Sequence, residues 1–337
     1  MLPSVSVVIP TYRRPDRILE TVDAVLAQPA LEVVVVVDGC RDGTLEVLEA
    51  RAATDGRLRP VFVENGGQFR ALAVGTEHSR GEVVLALDDD VVARPGLVEG
   101  HARHHAGGTA GADGPHLVVL GYMRTRVPSP RRPGQFATFR YADDHEWMCA
   151  IYERDPDAVL RDLWGGNFSL RREDALRVGF ASPTARGHYH EDRDFGLRCL
   201  EAGLRGVFDR TLLADHAHAR SLDAFLRDAR RRGEGQVALH AAHPELLGPV
   251  DVGHYFANMP APARWAIRAG TVRGVDRVEV AVLRLLIAGA GRVRWWKLEL
   301  LAAVVAMHVT ELSAIRDASG GRLPGRSGPG RVRGRAG

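Results

Sequence analysis

Apolar positions in the first ninety residues come in two alternating rhythms. Val5 to Ile9, Leu31 to Val37, Leu58 to Val63 and Val83 to Leu87 are short, β-branched runs, the pattern of strands buried on both faces. Pro10 is expected to stop the first. Between the runs, apolar residues recur at helical spacing. Ile18, Leu19, Val22, Val25 and Leu26 follow Pro15, which suits a helix N1 position. Leu45, Val47 and Leu48 follow the turn GCRDGT, and a third helix is predicted from about Gln68 to Ser79. Four strand–helix alternations predict a parallel sheet covered by helices. Ligands of such sheets bind beyond the carboxyl ends of the strands. Those ends are Thr11-Tyr12, Asp38-Gly39, Asn65-Gly66-Gly67 and Asp88 to Asp90, so one polar rim is expected.

The fourth strand ends abruptly in three acids. If the backbone stays extended there, Asp88 and Asp90 point one way and Asp89 the other. Two like charges on one face repel unless a cation lies between them. A hard divalent ion, Mg2+ or Mn2+, suits oxygen ligands and bridges to phosphates. The residues alone support this Asp-x-Asp reading and, equally, a solvated acidic turn before a helix at Pro95. The first strand is followed by PTYRRP, with no GxGxxG, which disfavours a dinucleotide-binding unit.

Composition narrows the classes further. A net charge of +3 over 337 residues gives no global field for a polyanion, so no nucleic-acid partner is expected. Three scattered cysteines, Cys40, Cys149 and Cys199, fit a reducing compartment without a disulfide framework. The N-terminus lacks the basic region of a signal peptide, and no run of about 18 uncharged apolar residues predicts a membrane-spanning helix.

The ordered segments VSVVIPTYRR, EVVVVVDGCRDGT, NGGQFRALAVGTEHSRGE and VVLALDDDVVARPG resemble glycosyltransferase family 2, the inverting enzymes with the GT-A fold. The resemblance implies an α/β Rossmann-like nucleotide-binding sheet with helices on both faces, followed by C-terminal helices. It implies that Pro10, Thr11, Tyr12 and Asp38 face the nucleoside, and that Asp88, Asp89 and Asp90 serve ribose, diphosphate and metal. Many relatives carry a second acid where this chain has Val37, and an Arg-Asn pair where it has Leu72-Ala73. Uracil, guanine and thymine therefore all stay open as the base.

Beyond residue 100 the pattern is less regular. HARHHAGGTAGADG reads as a His- and Gly-rich solvated loop, with a metal cluster of His101, His104 and His105 as the lesser alternative. His116 to Met123 reads as a strand, and PSPRRPG as a mobile basic loop. Arg124, Arg126, Arg131 and Arg132 could reach an anionic acceptor or the diphosphate, or simply be solvated. In WGGNFSL the paired glycines permit close backbone approach, and Trp164 offers a flat apolar face. The resemblance places Gly166 and Asn167 beside the donor sugar and Trp164 beside the acceptor. Glu191, Asp192 and Asp194 open a helix, where acids cap the macrodipole; the resemblance puts the general base at Asp192, with Glu191 as its rival. His216 matches a metal- and diphosphate-proximal position, with His218 next. Arg220 and Arg230 to Arg232 could offset the leaving diphosphate.

Residues 261–318 turn helical. The block from Arg292 to Val305, with Trp295-Trp296-Lys297, reads either as an interfacial membrane anchor or as helix packing or dimerisation. The expected domains are 1–260, the glycosyltransferase domain; 261–318, a helical region; and 319–337, a disordered basic tail. The resulting expectation is a cytoplasmic, metal-dependent (Mg2+ or Mn2+) inverting glycosyltransferase. It would move a sugar from a nucleotide-diphosphate sugar to a hydroxyl of a glycan, lipid or small molecule, with Asp88, Asp90 and His216 at the metal. A nucleotidyltransferase releasing pyrophosphate and a non-catalytic nucleotide-sugar-binding protein are the alternatives.

Overall fold

The structure, a computed structural model, describes residues 1–106, 116–182, 189–257 and 259–324. The chain packs as two compact units. The first takes the described residues of Met1–Val127, Tyr141–Gly187 and Glu191–His218; the second takes those of Pro128–Arg140, His188–His190 and Ala219–Gly337. Residues 219–260, placed with the first domain by the sequence, thus belong to the second unit.

The first unit opens with β1 (Val5–Thr11), α1 (Ile18–Leu26), β2 (Glu32–Asp38), α2 (Thr44–Ala52), β3 (Leu58–Val63), α3 (Gln68–His78) and β4 (Val83–Leu87). It continues through β5 (Val91–Ala93), α4 (Leu97–His104), β6 (Leu117–Thr125), α5 (Phe136–Arg154, of which residues 136–140 belong to the second unit), α6 (Ala158–Arg161), β7 (Asn167–Arg171), α7 (Arg172–Val178), α8 (Glu191–Glu201) and β8 (Arg205–His216). The strands form one sheet in the order β3-β2-β1-β4-β7-β6-β8-β5. The first four are parallel as expected, and β7 joins β4 antiparallel. Alternation along the strands splits the apolar residues between two layers. Val7, Ile9, Val35 and Leu85 pack under α1 and α4, while Val8, Val34, Val36 and Val84 pack under α3 and α8.

Several expectations shift. β1 runs through Pro10 to Thr11, because its register with β4 stops at Val8. Pro10 is thus paired on one side only, the edge-like setting in which proline is tolerated. Pro15 lies in the turn before α1 and is not its first residue. Residues 101–104 are not loop: His101 and His104 belong to α4, which a turn at 105–106 follows, and His101 is buried. The remainder of that segment, 107–115, lies outside the described residues. α5 escaped the periodicity analysis because it serves two cores, giving Phe136 and Ala137 to one and Tyr152 to another.

The second unit contains α9 (Leu222–Ala242), α10 (Pro244–Leu247), α11 (Ala261–Ala269), α12 (Val275–Arg292) and α13 (Trp296–Ala318). Its core includes Phe225, Ala229, Ile267, Leu283, Ile287 and Val309. α9 and α13 approach closely at Gly233, where a Cβ would lie 2.4 Å from the Glu311 carbonyl oxygen. Arg131 is not in a mobile loop; it pairs with buried Glu299 at 2.8 Å and lies over the Phe139 and Trp296 rings. α13 is long and apolar enough to cross a membrane, which the sequence reading missed, yet 78% of its apolar window is buried. Val304 and Val305, assigned by one reading to a membrane anchor, are core residues. The tail beyond Pro324 lies outside the described residues.

Candidate active site

The carboxyl ends of β1, β2, β3 and β4 do form one polar rim, but the acids are not arranged as an extended strand would place them. The chain turns at once after Leu87: the Val91 amide donates to the Asp88 carbonyl oxygen at 3.1 Å. The three carboxylates therefore take three directions. Asp89 accepts from Thr11 Oγ1 at 2.8 Å. Asp90 receives Arg14 Nη2 at 3.2 Å and lies 3.4 Å from His216 Nε2. Asp88 accepts from Gln68 Nε2 at 2.6 Å. Strand alternation thus fails here, although Asp88 still feels its neighbours. Burial, then Asp90, Asp89 and Asp192, push its carboxyl well above the usual range.

The short β5, which the sequence did not reveal, explains how His216 arrives. It pairs antiparallel with the end of β8, setting Val91 opposite His216 and so His216 beside Asp90. His216 Nδ1 is buried without a hydrogen-bond partner, so this imidazole is held by packing; the Tyr141 ring lies 4.8 Å away. His218 lies beyond the strand and stacks on Tyr141 at 4.3 Å. Trp164 meets the same Tyr141 edge-on at 5.2 Å. The result is an aromatic wall of Tyr141, His145, Trp164 and His216 beside the acids.

The Gly165-Gly166 pair joins the acidic turn to α8. The Gly166 carbonyl accepts from the Asp88 amide at 3.0 Å, and the Gly165 amide donates to Asp192 Oδ2 at 3.2 Å. Gly166 has a φ of 110°, and a Cβ there would lie 2.8 Å from Asp88 Oδ2, so only glycine fits. Asp192 is partly exposed at the start of α8, and burial of its carboxyl pushes it up to about 6 despite two backbone donors.

Other candidates are redirected. Asn167 is fully buried, its side chain spent on His101 and the Leu212 carbonyl, so it supports the glycines from beneath and does not face a ligand. Asp38 is also mostly buried: its carboxylate accepts from the Gly66 and Gly67 amides at 2.8 and 2.9 Å, shaping the turn into α3. Pro10 is buried in β1, whereas Tyr12 is exposed on the rim with the Arg13 guanidinium over its ring. Arg124 and Arg126 are committed to Asp215 and Arg131 to Glu299. Arg220, Arg230 and Arg232 pair with Asp228, Glu234 and Glu311. The histidines in and just after α4 are structural: His101 bonds Ser169 and Asn167, His104 bonds Asp209, and His105 bonds Ser169. Burial pushes His101 down to about 3, so it stays neutral.

Sequence reasoning missed Arg14, Gln68 and Tyr141. The paired arginines after β1 and the glutamine opening α3 were visible as segments of the resemblance, but nothing in their spacing showed which acid each meets. Among the described residues, no three His, Cys, Asp or Glu side chains converge as a ready-made metal cage. The donor set nevertheless suits an ion such as Mg2+, which commonly takes one or two carboxylates and completes its shell with substrate phosphate and water. Asp88 and Asp90 supply hard oxygen, and the excess negative charge around Asp88 is what a cation would relieve.

Comparison with known proteins agrees with this architecture. The chain is 29% identical over 227 residues to glucosyl-dolichyl phosphate glucuronosyltransferase of Haloferax volcanii, an alignment covering 63% of this chain and 68% of that protein. It is 40% identical over 98 residues to undecaprenyl-phosphate 4-deoxy-4-formamido-L-arabinose transferase of Pseudomonas aeruginosa, covering 27% of this chain and only 29% of the relative. Among solved structures, a mannosyltransferase from Pyrobaculum calidifontis in complex with GDP-Man and Mn2+ superimposes with a TM-score of 0.57 at 19% identity, covering 93% of this chain and 88% of that one. That likeness fixes the fold as GT-A. The sequence model of Glycosyl transferase family 2 matches residues 6–177, just over half of the 337 residues. The chain belongs to glycosyltransferase family 2.

Proposed function

We propose that the enzyme transfers a sugar from a nucleoside-diphosphate donor to an acceptor hydroxyl with inversion, Asp192 acting as general base. The observation that carries this reading is the Gly165-Gly166 bridge: two adjacent backbone groups hold Asp192 on one side and Asp88 on the other. The base and the diphosphate-side acid are thereby kept in fixed register. The elevated Asp192 carboxyl suits a base, since proton transfer is efficient when its pKa approaches the working pH. Trp164 and Tyr141 supply a flat apolar surface for the acceptor. The nucleoside meets Tyr12 on the rim, next to Thr11, which is buried and donates to Asp89, with Gly166 permitting close approach of the donor. Asp88 and Asp90, with His216 behind Asp90, would hold Mg2+ or Mn2+. When bound, the ion stabilises negative charge on the leaving diphosphate. Arg14 keeps Asp89 and Asp90 in place from the opposite side.

The acceptor class follows from the relatives, whose names carry dolichyl and undecaprenyl phosphates. A lipid-linked acceptor is proposed on that ground. The test incubates the protein with a panel of nucleotide sugars and lipid-linked or free glycosides, with Mn2+ or with chelator. Released nucleoside diphosphate, a product of inverted anomeric configuration by NMR, and loss of both in chelator are expected. A product that retains the donor's anomeric configuration would overturn the single-displacement reading.

A further inference from the structure

The second unit carries an apolar face that, among the described residues, is left exposed. α12 has two apolar stripes. One, Leu283 and Ile287, is buried in the core. The other consists of Val275, Val278, Val282, Leu285 and Leu286, which are 40%, 65%, 59%, 76% and 40% exposed. At 3.6 residues per turn these fall within about 100° of arc, the width of a helix face made to be covered. The neighbouring segments add further exposed apolar residues: Trp265 on α11 is 69% exposed, and Val293 and Trp295 after α12 are 73% and 60% exposed. A soluble surface tolerates single exposed apolar residues, but a five-residue stripe on one helix face, with two exposed tryptophans in the adjoining segments, is the mark of a binding surface.

Charge selects the occupant. Every exposed ionisable side chain between Ala261 and Lys297 is cationic: Arg264 and Arg268 on α11, Arg273 before α12, Arg277 and Arg292 on it, and Arg294 with Lys297 beyond. The acids of this stretch, Asp276 and Glu279, are partly buried, and Asp276 is paired with Arg316 at 3.1 Å. Burial also pushes the Glu279 carboxyl up, toward its uncharged form. Two copies joined through this face by a two-fold axis would oppose arginine to arginine with no exposed acid within this stretch to relieve them; the exposed Asp223 of α9 is already paired with Arg284. An anionic bilayer offers the reverse: an apolar interior for valine and leucine, an interfacial layer for tryptophan, and negative headgroups for the arginines.

We infer that the outward face of α12, flanked by Trp265 and Trp295, docks the enzyme on the surface of a membrane containing anionic lipid. α12 would lie in the interface plane and not span the bilayer. This differs from an anchor formed by residues 292–305 as a block, since Ala302, Ala303, Val304 and Val305 are buried in the second unit's core, and it is independent of the catalytic reading above.

The experiment is co-sedimentation of the full chain with vesicles of phosphatidylcholine alone or of phosphatidylcholine with phosphatidylglycerol. Binding to the anionic vesicles, reduced by salt, is expected, with little on the neutral ones. The double variant Val278→Asp, Val282→Asp should lose at least about tenfold in partitioning, since it removes buried aliphatic area and adds repelled charge. Its thermal midpoint should be unchanged, because these side chains are exposed in the folded protein. Each cation removed, as in Arg277→Gln, should weaken binding about fivefold. Brominated phospholipid should quench tryptophan emission, and Trp265→Phe with Trp295→Phe should abolish that quenching. Wild-type protein left in the supernatant with anionic vesicles overturns the inference. So does equal binding by the double variant, or a vesicle-free dimer that the double variant dissociates.

Discussion

Two acids in the same unit, one buried and one half-buried, are treated in opposite ways. Asp215, near the end of β8, is 2% exposed and is surrounded by Arg94, Arg124 and Arg126. Asp88, after β4, meets Gln68 and the Gly166 backbone, and among the described residues it has no ion pair with any cation. Its charged neighbours are Asp89, Asp90 and Asp192. A structural carboxylate is neutralised within the fold, because an unpaired buried charge is costly. A carboxylate left among other acids implies that its compensation arrives from outside. The same contrast holds in the second unit, where buried Glu299 and Glu311 each have an arginine partner. Under-compensated charge separates the candidate site from the scaffold better than burial or exposure does.

The sharpest way to break this comparison is at Asp192. Asp192→Asn keeps the shape of the side chain and can still accept a backbone hydrogen bond, but it cannot take a proton. Turnover should fall by about 10²–10⁴, the range of general-base contributions, with donor affinity within a few-fold of wild type. Glu191→Gln should be mild by comparison. Single-turnover rates and donor titrations of both variants decide; collapse of the Glu191 variant with normal transfer by Asp192→Asn moves the base by one residue.

A smaller effect is expected from pH. The proposed base, Asp192, would work only as carboxylate, and its pKa is raised to about 6, so activity is expected to be lost as pH falls through that value. One unit below, at about pH 5, the rate should be about tenfold under its plateau, where an unperturbed aspartate would still be fully active. The residual activity of Asp192→Asn should be flat across the same range. An unchanged slope in that variant would assign the titration to another group.

How much of this was legible beforehand follows from the range over which each signal acts. β3 and β4 were read to the residue, because their boundaries are set locally by apolar runs meeting polar turns. The rim followed from strand–helix alternation, and the segments in a known order pointed to Asp88, Asp90, Asp192 and His216, which the fold brings near one another. What stayed hidden depends on contacts distant in sequence. β5 is three residues long and exists by pairing with β8 more than a hundred positions away. Asn167 and Asp38 read as ligand-facing from their motifs, but only the folded chain shows their polar atoms already spent. α5 obeys no single period since it answers to two cores. The exposed stripe of α12 was visible as apolar residues, yet its separation from the buried stripe needed the packing around it.

The comparison itself predicts opposite signs for the same chemical change. In metal-free buffer at neutral pH, Asp215→Asn removes the charge that three arginines share and leaves their donors under-satisfied, which should cost about 1–3 kcal/mol. Asp88→Asn should instead raise the thermal midpoint slightly. It deletes one of several crowded negative charges and retains an oxygen that can accept from Gln68. Adding Mn2+ with a nucleoside diphosphate should then reverse the ranking. Ligand that binds only the folded state raises apparent stability by mass action, so the wild type should gain and Asp88→Asn should not. Asp215→Asn, which leaves the acidic turn intact, should gain as the wild type does from its lower baseline. Thermal-shift curves of the three proteins with and without ligand provide the measurement. A destabilised Asp88→Asn that still responds to ligand would place Asp88 with the scaffold acids and remove the distinction between them.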